Sequence, residues 1–223
     1  MWEMILTNQF HDILPGSSIH EVYEVTKREY EALERQISAL RGERLAALAA
    51  PSDAVTVFNT KGFASDEAVC LGQLDAAALV DADGARYPVQ QTAEGAVAFL
   101  PALPAKGWRA YSVSNQPEPC AAPFALADDH HLETHYYTVE LDENGLLSRL
   151  YDKENRREVL RPGQRGNLMR MYEDKPIYYD NWDIDIFYTE KFWDVTDLQD
   201  FTWTENGPVR ATLHIERNYS NST

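Results

Sequence analysis

A histidine and an aspartate stand side by side in NQFHDILPGSS, residues 8–18, where His11 and Asp12 precede a Pro15-Gly16 turn. An imidazole can ligate a metal, and a neighbouring carboxylate can orient a substrate hydroxyl if a rigid scaffold fixes both. One histidine cannot hold zinc, which takes three or four ligands, so further ligands would have to come from elsewhere. The plainer reading is a capping or surface pair at a helix end. A second stretch, YYDNWDID at residues 178–185, alternates aromatics with acids. There the indole of Trp182 can lie on a pyranose face while Asp180 or Asp183 binds hydroxyls; the alternative is a sandwich loop with a buried tryptophan and solvated acids. In a third, His131, Glu133 and His135 alternate and would share one face of a strand, a spacing that can suit zinc, although a polar strand edge explains them as well. No phosphate-binding glycine loop, dinucleotide fingerprint or nucleophile elbow occurs.

These residues need elements to hold them. Trp2, Ile5, Leu6, Gln9, Phe10 and Ile13 recur at helical spacing and place His11 on the opposite side, so a first helix should run to the Pro15-Gly16 turn. Ser18 and Glu21 have the spacing of a capping box, and a second helix should start at Ile19. Its stripe of Ile19, Val22, Tyr23, Thr26, Tyr30, Leu33, Ile37, Leu40 and Leu48 calls for at least one more covering helix. Residues 1–50 thus read as a helical-bundle segment. The β-rich runs AVTVFNT, EAVCLG, AVAFLPAL and RAYSVS make 52–116 a small β-domain, and the proline-rich 117–127 a linker. Asn144-Gly145 marks a hairpin, and 128–223 reads as the first part of a large antiparallel β-sandwich. The expected class is α+β and multidomain.

Composition sets the limits. With 44% hydrophobic residues the 223-residue chain can build real cores. A formal charge of −16 removes the basic surface that nucleic acid requires and disfavours anionic membranes. No apolar run is long enough for a membrane helix. Cys70 and Cys120 fit no metal or redox spacing and read as reduced, buried thiols, as expected in the cytoplasm.

The segment NQFHDILPGSSIHEVY resembles the characteristic stretch of family 38 glycoside hydrolases, the α-mannosidases, in their bacterial and cytosolic branch. VFNTKGF, DENGLLSRLYDKENRREVL and NLMRMYEDKPIYYDNWDID resemble further blocks of that family, in the same order. The resemblance implies a zinc-dependent retaining enzyme that releases α-linked mannose from oligosaccharides or mannosides. It makes His11 a zinc ligand and Asp12 a substrate contact, and it brings the loop of Asp180, Trp182 and Asp183 toward the cleft. It also implies that the nucleophile, the acid and the other zinc ligands belong to an N-terminal catalytic domain, with no matching residue here. The expectation is a fragment inactive alone, partnered by that missing domain, with self-association open through the uncovered helix stripe. The rival is a non-catalytic carbohydrate-binding or structural β-module.

Overall fold

The structure, a computed structural model, describes residues 1–49, 53–117, 124–179 and 182–220. They divide into two compact units, Met1–Ser52 with Tyr172–Phe192, and Asp53–Met171 with Trp193–Thr223.

The first unit carries two α-helices, α1 (Trp2–Thr7) and α2 (His20–Leu48). α1 is half the expected length. Its C-cap Asn8 is buried, and the side-chain amide donates to the Met4 carbonyl at 3.0 Å and to Glu29 Oε2 at 2.6 Å. Thr26 Oγ1 donates to Asn8 Oδ1 at 2.7 Å. A side chain that binds the helix's own carbonyl and a second helix competes with helical continuation. Beyond it the chain proceeds by short turns, Gln9 N–H to Leu6 O and Phe10 N–H to Thr7 O, ending at Gly16 with φ +85°. His11 therefore sits on a turn, not on a helix face. The capping box does not form either: the N-cap of α2 is Ile19, and the Ser18 hydroxyl donates back to the Asp12 carbonyl at 2.8 Å. α2 runs the expected length, but only Leu33 on it is fully buried.

The second unit opens with β1 (Val55–Asn59), β2 (Ser65–Gly72), β3 (Ala78–Val80), β4 (Arg86–Thr92), β5 (Gly95–Leu103) and β6 (Gly107–Ser114). They form an antiparallel sheet in the order β1-β6-β3-β4-β5-β2. Val57 of β1 and Leu100 of β5 share one core with Leu79, Ala98, Leu103 and Tyr111. On a flat sheet strands four places apart would be about 19 Å from each other, so this sheet curls around its core. Cys70, expected to be buried, is exposed, because alternation along edge strand β2 turns it outward. Cys120 lies outside the described residues.

Next, β7 (Phe124–Asp128), β8 (His131–Thr134), β9 (Tyr137–Leu141), β10 (Leu147–Asp152) and β11 (Arg157–Glu158) make a sequential antiparallel meander. β7 begins inside the stretch that reads as a linker. The hairpin between β9 and β10 turns at Gly145, φ +66°, and Asp142 Oδ1 accepts the N–H groups of Asn144 and Leu146 at 3.0 Å. A short ribbon pairs β12 (Arg170–Tyr172) with β13 (Phe192–Asp194), and a longer one pairs β14 (Asp197–Asn206) with β15 (Ala211–Asn218). The longer ribbon packs on the meander. Trp203 Nε1 donates to Asp129 O at 3.0 Å, Phe201 stacks on His130 at 4.9 Å, and Phe201 and Ile215 close over Gly145. The curled sheet meets the same ribbon at one knot. The Gln90 side chain, 6% exposed, accepts from the Val209 and Arg210 N–H groups and donates to Arg210 O.

The described residues are thus mostly β, with two α-helices, which agrees with β-rich, sandwich-like domains; a helical bundle is represented only by α1 and α2.

Candidate functional site

The turn between α1 and α2 presents His11 and Asp12 outward. Their side chains are 69% and 41% exposed, and His11 Nε2 lies 3.5 Å from Asp12 Oδ2. The imidazole leans on the ring of Phe10, with centroids 4.1 Å apart and planes at 46°. Phe10, a core position by its spacing, is itself exposed. The side chains of the pair face solvent while the backbone beneath them is held. The Asp12 carbonyl accepts from the hydroxyls of Ser18 at 2.8 Å, Tyr23 at 3.2 Å and Ser17 at 3.4 Å. Tyr23 Oη in turn accepts the Ser18 N–H at 2.9 Å. On the other side of the pair, Asn8 ties the turn's start to Thr26 and Glu29 of α2.

Sequence reasoning misses the roles of Asn8 and Tyr23. Asn8 is hidden in the sequence because it lies inside a helical pattern that runs on to Ile13, although asparagine is a residue that can end a helix. Tyr23 gives no signal, because its place in the α2 stripe is that of an ordinary apolar position.

The second candidate stretch has its base at Glu173 and Lys191, inside the segment Tyr172–Phe192 of the first unit. Glu173 and Lys191 close that base through a backbone bond of 3.0 Å and a side-chain bond of 2.8 Å. Lys191, with Lys175 adding to it, holds the Glu173 carboxyl below its usual range. Further out, the Asp185 carboxylate accepts the Ile177 N–H at 2.8 Å, and the N–H groups of Trp182 and Asp183 both bond to Tyr179 O. Tyr178 and Tyr179 are 74% exposed and Trp182 56%. That exposure contradicts the reading of Trp182 as a buried sandwich residue. Asp183 is exposed beside it, and Asp180 lies outside the described residues. The turn with His11 and this loop belong to the same compact unit.

The third candidate does not assemble. β8 ends at Thr134, so His135 leaves the strand and packs edge-on against Tyr136. His131 Nδ1 sits 2.7 Å from both carboxylate oxygens of Asp128, and with the His130 N–H it holds that carboxyl below its usual range. Glu133 pairs with Lys153. Among the described residues no group of three or more His, Cys, Asp or Glu is close enough to hold a metal. His11 therefore fits zinc in the kind of donor it offers, an imidazole nitrogen, but one ligand falls short of the number zinc takes.

Residues 1–48 match the family described as the alpha mannosidase middle domain, and residues 132–223 match the glycosyl hydrolases family 38 C-terminal domain. Human Alpha-mannosidase 2C1 is 26% identical over 197 residues, covering 85% of this chain and 17% of its own length. Alpha-mannosidase G of Dictyostelium discoideum is 23% identical over 255 aligned positions, covering 96% of this chain and 23% of its own. The chain thus spans less than a quarter of either relative. The crystal structure of an alpha-mannosidase from Enterococcus faecalis superimposes with a TM-score of 0.65 at 16% identity, over 97% of this chain and 30% of that one, a likeness of fold.

Proposed function

We propose, from the premise that this chain belongs to glycoside hydrolase family 38, that it supplies part of the metal- and substrate-facing surface of a zinc-dependent retaining α-mannosidase acting on α-linked mannose. The observation that carries the reading is the outward His11–Asp12 pair, built into the very region that matches the family's middle domain. His11 would give one nitrogen ligand to a zinc ion whose other ligands come from outside these residues. Bound there, zinc would supply a Lewis acid for vicinal sugar hydroxyls. Asp12 accepts hydroxyl protons in short charge-assisted bonds. The exposed indole of Trp182 offers a flat apolar face to a pyranose ring, with Asp183, and Asp180 by sequence, beside it. The two carboxyl groups of a retaining displacement are assigned to the family's N-terminal catalytic domain, so the chain alone lacks the chemistry. We place the enzyme in the cytoplasm, a reading supported by Cys70 and Cys120 of this chain, whose separation matches no disulfide framework.

The test is an assay of the purified 223-residue chain, with zinc, on an aryl α-mannoside. No turnover is expected, and only weak zinc binding; metal-dependent hydrolysis by the chain alone would overturn the assignment. In the complete enzyme His11→Ala should release zinc and abolish activity. The exposed Tyr178, Tyr179 and Trp182 favour one rival, a carbohydrate-binding surface without catalysis. Mannoside binding by the isolated chain that is lost in Trp182→Ala and indifferent to His11→Ala would support that rival.

A further inference from the structure

Three hydroxyl groups converge on one carbonyl oxygen, that of Asp12, and this is unusual provision for a surface turn. A carbonyl has two lone pairs, and a solvent-facing turn can satisfy them with water. Here Ser18 Oγ, Tyr23 Oη and Ser17 Oγ all reach it, at 2.8, 3.2 and 3.4 Å. Tyr23 does more than donate, because its oxygen also accepts the Ser18 N–H at 2.9 Å and lies 3.5 Å from Ile13 O. One phenol in the first turn of α2 therefore bridges both ends of the segment from Asp12 to Ser18. Asn8 makes the matching attachment at the other end of the turn, to Thr26 and Glu29. The residues between these two anchors are Gln9, Phe10 and His11, and their side chains are exposed.

We infer that Tyr23 is a positioning residue. Its hydroxyl locks the backbone of the turn to α2, so that the points from which the His11 and Asp12 side chains project are set before any ligand arrives. The inference rests on the proposed mannosidase role for what the lock is used for, but the lock itself is a property of this turn. The physical gain is entropic. Side chains on a free turn must be ordered when a metal or sugar binds, whereas here the backbone that carries them is already ordered. Groups that orient a metal ligand without touching the metal typically alter metal affinity by about 10–100-fold when removed.

Tyr23→Phe deletes the hydroxyl and keeps the ring. In the 223-residue chain, amide exchange at Ser18 should accelerate by about tenfold, the loss of one bond of ordinary strength, while the far-UV signal of α2 stays unchanged. In the complete enzyme, competition with a chelator should show zinc held about tenfold more weakly, with His11→Ala measured alongside. Ser18→Ala removes the shortest of the three bonds from the opposite side and should weaken zinc in the same direction, which covers the case of a poorly folded Tyr23 variant. If Ser18 protection is untouched in Tyr23→Phe and zinc affinity is untouched in both variants while His11→Ala releases the metal, the positioning role is wrong and the mannosidase reading stands. If His11→Ala leaves zinc in place, the mannosidase reading fails, and the amide exchange alone decides whether the lock exists.

Discussion

Asn8 shows how much can depend on one short amide. It is 4% exposed, terminates α1, and satisfies Thr26 and Glu29 on α2 at once. Asn8→Ala leaves Thr26 without its acceptor and frees the turn, at a cost of about 1–3 kcal/mol, measurable by urea denaturation followed at the helical far-UV signal. Asp142 plays the corresponding part in the β9–β10 hairpin. Burial of its side chain opposes ionisation, but the Arg165 guanidinium at 2.6 Å and the Leu146 and Asn144 N–H groups outweigh it, so the carboxyl lies below its usual range. A carboxyl depressed in the folded state contributes stability that is complete above its unfolded value of about 3.9 and lost as pH falls through the lower folded value. The hairpin should therefore hold its stability from neutrality down to the ordinary carboxylate range and lose it below. Asp142→Asn keeps the acceptor for the turn but removes the charge facing Arg165. It should cost about 1 kcal/mol near pH 7 and flatten the acid limb of a stability-against-pH curve; an unaltered acid limb would show that other carboxylates govern it.

Two glycines separate what the elements need from what they tolerate. Gly42 lies inside α2, and a methyl group added to it would meet nothing within 4 Å, so Gly42→Ala should stabilise the helix by about 0.8–1 kcal/mol, read as a higher helical melting midpoint. Gly207 is the reverse. A Cβ there would collide with the Gln90 side chain, inside the knot that joins the curled sheet to the β14–β15 ribbon. Gly207→Ala should destabilise by about 1–3 kcal/mol through overpacking, with faster exchange of the Val209 and Arg210 amides. Such distant contacts leave no trace in local pattern, and Gln90 lies outside all four β-rich runs read from the sequence. What is legible is local: the four β-rich runs correspond to β1, β2, β5 and β6, and the α2 stripe to one 29-residue helix. The first helix reads too long because Phe10 and Ile13 fit a 3.6-residue period, while the Asn8 amide that ends it acts across 21 residues to Glu29. At the candidate site, His11 and Asp12 are legible as residue types, but the hydroxyls that hold their turn are hidden, one of them inside an apparently apolar stripe.

Across the whole chain, burial is unevenly shared, and stability should follow it. Among the described residues Leu33 is the only fully buried apolar side chain of the helical unit, and every other one belongs to the β unit. Ile19, Val25, Tyr30, Ile37, Leu40 and Leu48 stay exposed along α2. Most helical stability in proteins comes from packing an apolar face, so a helix that packs only one such residue fully is marginal. The β unit instead has the closed cluster of Val57, Leu79, Ala98, Leu100, Leu103 and Tyr111. Unfolding of the isolated chain should then proceed in two steps rather than one. Hydrogen exchange at increasing urea should release α2 amides first and those of β5 later; coincident release would show that the units unfold together. The same measurement bears on function. If a family 38 enzyme places further structure over the α2 stripe, α2 peptides in the complete enzyme should be protected well beyond their level in the 223-residue chain, while β5 peptides change little. Equal protection of α2 in both would mean that the stripe remains uncovered in the enzyme, and that the turn carrying His11 gains no support from beyond its own two anchors.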